Sequence, residues 1–230
     1  MQNLKVIFED NHIIVVEKPV NIPSQADKTG DIDMLTIIKA YLKEKYNKPG
    51  NVYLGLVHRL DRPVGGVMVF AKTSKSAGRL SNQVREKQFQ KTYLVIVNGK
   101  MKNQKGTLQD YLLKNEKTNM SKVVKEGTKN SKLAILDYEV LKYDEELNLS
   151  VLKINLHTGR HHQIRVQLSS RNHSIYGDQK YAGRGHGKQI ALWAYNLKFY
   201  HPISNELMEF EAMPEMIGSW AILKENCSIS

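Results

Sequence analysis

The chain has 230 residues, 41% of them hydrophobic and 25% charged, with a net charge of +11 and one cysteine, Cys227. That length can bury a sizeable core; no apolar run reaches the length of a membrane span, and one cysteine excludes an intrachain disulfide framework. The start, Met1 to Val6, runs straight into a strand pattern without a signal-peptide layout, so a cytoplasmic chain with no membrane partner is expected.

In chain order, Val6-Ile7-Phe8 and Ile13-Ile14-Val15-Val16 read as two strands joined at Glu9-Asp10-Asn11. Lys18 to Ser24 is a loop by its prolines. Asp31 or Asp33 caps a helix running to about Tyr46, with an apolar stripe of Leu35, Ile38 and Leu42, and Asn47 to Gly50 stops it. Val67 to Ala71 reads as a buried strand. Ser74 caps a second helix through about Lys87, with Ala77, Leu80 and Val84 facing inward. Lys91 to Val97 is a strand closed by Asn98-Gly99. Residues 100–132 read as hairpin arms and loops, followed by strands over 134–142 and 149–156, a short helix across 161–171, and a basic glycine-bearing loop from Gly177 to Gly187. Strands near 190–199 and 207–212 close the pattern. Many short strands, about three helices and no βαβ alternation predict an α+β fold: a mainly antiparallel mixed sheet with few flanking helices. No internal repeat or linker divides it, so residues 1–230 are read as one domain.

The charge is segregated. Residues 72–105, 117–132 and 160–188 together hold 20 of the 34 basic residues and 3 of the 23 acidic ones. The three lone acids are Glu86, Glu126 and Asp178. Such a distribution suits a polyanion-facing surface, because lysines and arginines neutralise phosphates and release counterions. A solvated basic face without a partner is the bland reading of the same numbers.

One stretch organises the rest: His58-Arg59-Leu60-Asp61-Arg62-Pro63-Val64-Gly65-Gly66. It sets a carboxylate between two arginines, whose charge favours the anion. Pro63 disfavours a helical Arg62, and an extended segment puts Arg59 and Asp61 on one face with Arg62 on the other. Other constellations fail. His58 to Asp61 lacks the Gly-rich loop, VAIK lysine and DFG triplet of a kinase. His157, His161 and His162 have no acid or thiol beside them in sequence, so no metal is expected. Gly183 to Lys188 is neither a Walker loop nor a dinucleotide fingerprint, and a glycosidase would need a second acid opposite Asp61. What remains is one ionised Asp, a strand tyrosine (Tyr93), several arginines and a basic surface. That set suits chemistry on a nucleotide whose base leaves the stack and rests on an aromatic ring. Tyr93 taken alone is better read as a packed sheet residue.

The chain resembles the RluA-type RNA pseudouridine synthases. Their aspartate motif is similar to His58–Arg62 through Ala71-Lys72, and their K-x-Y element to Lys91-Thr92-Tyr93. Their TGR-T-HQIR-x-H segment with its GD-x-x-Y sequel is similar to Thr158 to Gln167 and Gly177 to Tyr181. Their F-x-HP and closing A-x-P resemble Phe199 to Pro202 and Ala212-Met213-Pro214. The departures are Val64-Gly65 where many members have Thr-Ser, His161 for Thr, Gln167 for His, and Trp193 where His is frequent. These leave Asp61, Tyr93 and Arg165 in place and bear on substrate choice.

The resemblance implies an isomerase of the single-domain type, without the S4-like domain that many relatives carry in front. It implies that Asp61 attacks the target ribose at C1′ or stabilises a glycal-like species, that Tyr93 stacks on the flipped base, and that Arg165 pairs with Asp61. Arg59, Arg62, Lys91, Arg160, His162 and Lys180 are the residues expected to bind RNA. No metal or organic cofactor is implied, and a monomer is expected. Large-subunit ribosomal RNA is the first choice of substrate and transfer RNA the second. The alternative is a non-catalytic RNA-binding or ribosome-assembly protein on the same scaffold.

Overall fold

A computed structural model describes residues 4–183, 187 and 189–224. The elements, in chain order, are β1 (Lys5–Glu9), β2 (Ile13–Lys18), α1 (Met34–Lys45), β3 (Gly55–Leu56), β4 (Gly65–Ala71), α2 (Ser74–Arg85) and β5 (Gln90–Asn98). There follow β6 (Lys105–Asn115), β7 (Met120–Val124), β8 (Lys132–Asp144), β9 (Leu149–Leu156), α3 (Gln163–Ser169), β10 (Leu192–Tyr200), β11 (Leu207–Glu211) and a 3₁₀ turn over Gly218–Leu223. The expected α+β class holds: the ladders are mostly antiparallel and the helices few. The chain divides into two compact units, one comprising residues through Gln90 plus Ala194–Met213, the other Lys91–Trp193 with the residues from Pro214 on.

In the first unit the strand order is β1, β2, β4, β10, with β11 on β10 and β3 on β4. Every residue of β4 is buried, which is why its sequence, Gly-Gly-Val-Met-Val-Phe-Ala, is apolar throughout rather than alternating. Ile13, Val15, Val67, Val69, Leu80, Phe89, Leu197 and Phe199 form one core cluster, and the stacked rings of Phe89 and Phe199 lie 5.5 Å apart.

Helix α1 starts where Asp33 accepts from the backbone N–H groups of Leu35 and Thr36, satisfying two donors that have no intrahelical partner. Its buried residues are Met34, Ile38 and Leu42, so Met34 takes the inner place expected of Leu35. Helix α2 is capped by Thr73 instead of Ser74: the Thr73 hydroxyl accepts from Ser76 N–H at 3.2 Å.

The second unit is an antiparallel sheet in the order β5, β9, β8, β6, β7. Residues 100–132 carry the β6–β7 hairpin, as expected, and α3 packs Val166 against Leu112 and Ala134. Helix α3 is shorter than predicted, because His162 and Asn172 at either side have left-handed backbones, φ 53° and 63°. Part of the basic loop, Arg184 to His186 and Lys188, lies outside the described residues, as does Cys227. Among the described residues no helix is long and apolar enough to cross a membrane.

Candidate active site

Asp61 sits on a turn closed by Val64 N–H donating to the Asp61 carbonyl at 2.9 Å. Leading into it, His58 and Leu60 are buried and Arg59 is exposed. This is the alternation of an extended segment, with Asp61 half-buried on the Arg59 side.

Three buried side chains pin this backbone. Ser24 Oγ donates to the Leu60 carbonyl at 2.8 Å and accepts from Leu60 N–H at 3.1 Å. His58 Nε2 accepts from Val69 N–H at 3.2 Å, so the proton of the neutral ring lies on Nδ1. Lys18, the last residue of β2, is 0% exposed. Its ammonium donates to the carbonyls of Pro19 (3.0 Å), Arg62 (3.0 Å) and Val64 (2.7 Å). Three donors thus meet three acceptors, two of them on either side of Pro63 in the Asp61 turn. Burial pushes the Lys18 ammonium down to about 7, against the opposing pull of the Asp61 charge.

Of the two glycines behind the turn, Gly66 is required by packing. Gly66 has φ +122°, and a Cβ there would lie 2.1 Å from the Ala194 carbonyl oxygen. Of the two flanking arginines, Arg62 donates to Thr29 Oγ1 at 3.0 Å and pairs with Asp31, with Asp27 at 3.9 Å. An ion-pair cluster therefore holds Arg62, while Arg59 points its side of the segment to solvent.

In the second unit, Tyr93 is 6% exposed on β5, opposite Ile154 of β9. Lys91 precedes it, partly exposed, with burial pushing its ammonium down. A Cβ at Gly159 would lie 3.4 Å from Lys91 Nζ.

Arg165 is 4% exposed on α3. Its Nε and Nη2 donate to the two oxygens of Asp178 at 2.8 and 2.7 Å, a fork-to-fork pair. The Tyr181 ring lies under the guanidinium, 5.2 Å from its carbon. Tyr181 Oη accepts from Ser121 N–H at 2.8 Å and lies 2.9 Å from His162 Nδ1. His162, expected to bind RNA, is buried at the left-handed entry to α3 and stacks on His161. Arg160 and Lys180 are exposed; Arg160 Nε donates to the Leu133 carbonyl and Lys180 Nζ to that of Asn119. Gln167 is fully buried behind α3, its amide donating to Asp110 and to the Leu108 carbonyl. Among the described residues no three His, Cys, Asp or Glu side chains gather as a metal site.

Sequence reasoning missed the Lys18 clamp and the grip of Asp178 on Arg165. The signal for the second was present: Asp178 is the lone acid of its basic segment.

The family model for RNA pseudouridylate synthase matches residues 12–170. An uncharacterized RNA pseudouridine synthase of Aquifex aeolicus is 34% identical, over 90% of this chain and 68% of its own length. YhcT of Bacillus subtilis, described in the same words, is 32% identical, over 91% of this chain and 68% of its own. The ribosomal large subunit pseudouridine synthase D of Neisseria meningitidis serogroup B is 33% identical; the chain spans 58% of its length. Human RNA pseudouridylate synthase domain containing 4 shares the fold with a TM-score of 0.76 at 20% identity, covering 92% of this chain and 89% of that one. With the family model over more than half of its length and relatives above 30% identity, the chain belongs to the RNA pseudouridylate synthase family of isomerases.

Proposed function

We propose that this chain isomerises specific uridines in large-subunit ribosomal RNA, with Asp61 as the nucleophile. The observation that carries the reading is the turn at Asp61. Buried Ser24 and Lys18 pin the backbone at Leu60, Arg62 and Val64, while the Asp61 side chain itself stays half-buried. A carboxylate fixed in this way meets the requirement of nucleophilic catalysis for a positioned attacking atom. Ribosomal RNA is favoured over transfer RNA by the names of relatives such as the Neisseria enzyme.

In this reading Asp61 attacks C1′ of the target ribose, or stabilises a glycal-like species after loss of the C2′ proton. The C1′–N1 bond breaks, the uracil turns, and a C1′–C5 bond forms. The hydrogen on C5 leaves as a proton and N1 gains one, so the overall change is an isomerisation. Tyr93 stacks on the extruded base, Arg165 acts in the same reaction, and residues 1–230 serve as a single catalytic domain. Arg59, Arg62, Lys91, Arg160 and Lys180 face the RNA, and the chain acts as a monomer in the cytoplasm. Buried His162 is linked to Arg165 through Tyr181.

Tritium release from C5-labelled uridine tests this on ribosomal and transfer RNA purified separately from cells lacking the gene. Release from the large-subunit fraction is expected, and Asp61→Asn should abolish it while RNA binding is retained. Turnover by Asp61→Asn would remove Asp61 from the reaction, and release from transfer RNA alone would overturn the substrate.

A further inference from the structure

Among the described residues Asp178 is the most completely buried acid of the second unit, with its side chain 0% exposed. It belongs to a loop, Gly177 to Tyr181, two of whose side chains, Asp178 and Tyr181, meet at the Arg165 guanidinium. Both Asp178 oxygens accept from it, through Nε and Nη2, leaving Nη1 outside the fork. Two parallel bonds fix the plane of the guanidinium as well as its position. The Tyr181 ring covers the guanidinium face at 5.2 Å and limits its tilt.

The cradle is itself held. Asp178 Oδ1 also accepts from the backbone N–H groups of Lys180 and Tyr181, at 3.0 and 3.2 Å. Tyr181 Oη is tied to Ser121 N–H on the β6–β7 hairpin and to His162 Nδ1. At the base of the loop Gly177 has φ +74°, and a Cβ there would lie 2.0 Å from the Gln189 carbonyl oxygen. A free arginine samples many rotamers; this one has its plane, one face and its counter-charge supplied by a single five-residue loop.

We propose that Asp178 and Tyr181 are positioning residues for the reaction: they hold Arg165 as a fixed cation, and turnover depends on that orientation. The proposal rests on the reading of Arg165 as a residue of the isomerisation. It goes beyond that reading in assigning Asp178 and Tyr181 of the loop after α3 a role in kcat rather than in RNA binding. A buried ion pair serving stability alone would show its loss in the melt. A positioning pair shows it in kcat even where the fold survives, because misplacing a reacting group by about 1 Å costs up to about 100-fold in rate.

The test uses the full chain and tritium release from large-subunit ribosomal RNA, with Arg165→Met, Asp178→Asn and Tyr181→Leu. Asp178→Asn keeps the volume but removes the charge and one acceptor; Tyr181→Leu keeps the ion pair and removes the ring. At a temperature where melts show each variant folded, kcat should fall about tenfold or more for Asp178→Asn and about fivefold for Tyr181→Leu. KM and RNA affinity should stay within about twofold, because neither group is assigned a contact with RNA. The Arg165 Nε–H resonance, identified by its loss in Arg165→Met, reports the clamp directly. It should be slow to exchange in the parent chain and broadened or shifted in Tyr181→Leu, which serves if Asp178→Asn does not fold.

A kcat loss in Arg165→Met with unchanged kcat in folded Asp178→Asn or Tyr181→Leu overturns the proposal and leaves the role of Arg165 standing. Unchanged kcat in Arg165→Met overturns both. An Nε–H signal in Tyr181→Leu identical to that of the parent chain overturns the clamp whatever the rates are.

Discussion

Replacing Lys18 by Met isolates the energetic consequence of a cation buried beneath the Asp61 turn. In the fold its ammonium titrates at about 7, against an ordinary 10.5. The folded chain therefore releases this proton first, and between those two values the unfolded chain holds more protons. Stability must rise with pH across that window. The full interval is worth on the order of 5 kcal/mol, at up to about 1.4 kcal/mol for each pH unit inside it. From pH 7 to pH 9 the contribution of this one group comes to about 2 kcal/mol. Other titrating groups contribute equally to the parent and to Lys18→Met, so the comparison cancels them. Urea unfolding of both chains at pH 7 and pH 9 supplies the numbers. The parent should gain about 2 kcal/mol more than the variant on going to the higher pH. The variant should also lose turnover, because the carbonyls of Arg62 and Val64 lose their donor and the Asp61 turn loosens. Equal pH dependence in the two chains would refute the claim that a buried, titrating ammonium holds this turn.

Two further perturbations probe the same unit. Gly66→Ala sets a Cβ 2.1 Å from the Ala194 carbonyl at a φ of +122°. With backbone as the obstacle, the loss should be roughly 3 kcal/mol or more, seen as a lowered melting temperature or absent soluble protein. A normal melt would show that the strands there separate without cost. Burial raises the Glu9 carboxyl, but hydrogen bonds from Lys45, Lys72 and Tyr46 outweigh it and hold the group at about 2. Its folded value lies below the ordinary 4.5, so this carboxylate contributes stability above about pH 4.5 that is lost as pH falls toward 2. Glu9→Gln should flatten the decline of melting temperature between pH 5 and pH 3; an unchanged decline would remove Glu9 from the acid limb.

What was legible in the sequence follows the range of the forces involved. The caps of α1 and α2, the Asn98-Gly99 turn and the extended run into Asp61 are set by residues within a few positions, and the pattern carries them with errors of one residue. In α1 the cap and two of the three stripe positions stand as expected and only Leu35 gives way to Met34, while in α2 the cap moves one residue, from Ser74 to Thr73. Lys18 was not legible. Its carbonyl partners on Arg62 and Val64 lie 44 and 46 residues away, and a lysine before a proline reads as the start of a loop until β2 and β4 pair, Lys18 opposite Gly66.

Asp178 is the instructive middle case. Each basic segment contains one acid, yet Glu86 is exposed and Glu126 meets the Tyr111 hydroxyl at the surface. Being alone among cations therefore does not mark the buried partner. The mark lies in its neighbours. A glycine in the left-handed region, where a Cβ would meet the Gln189 carbonyl, fixes the loop just before Asp178, and an aromatic residue three positions later closes over the guanidinium that the carboxylate binds. An acid so framed is held in the interior, where it needs a counter-charge of matching shape, and α3 supplies one thirteen residues earlier in Arg165. Read in that order, Gly-Asp-x-x-Tyr after a buried Arg-bearing helix specifies a cradle for the arginine.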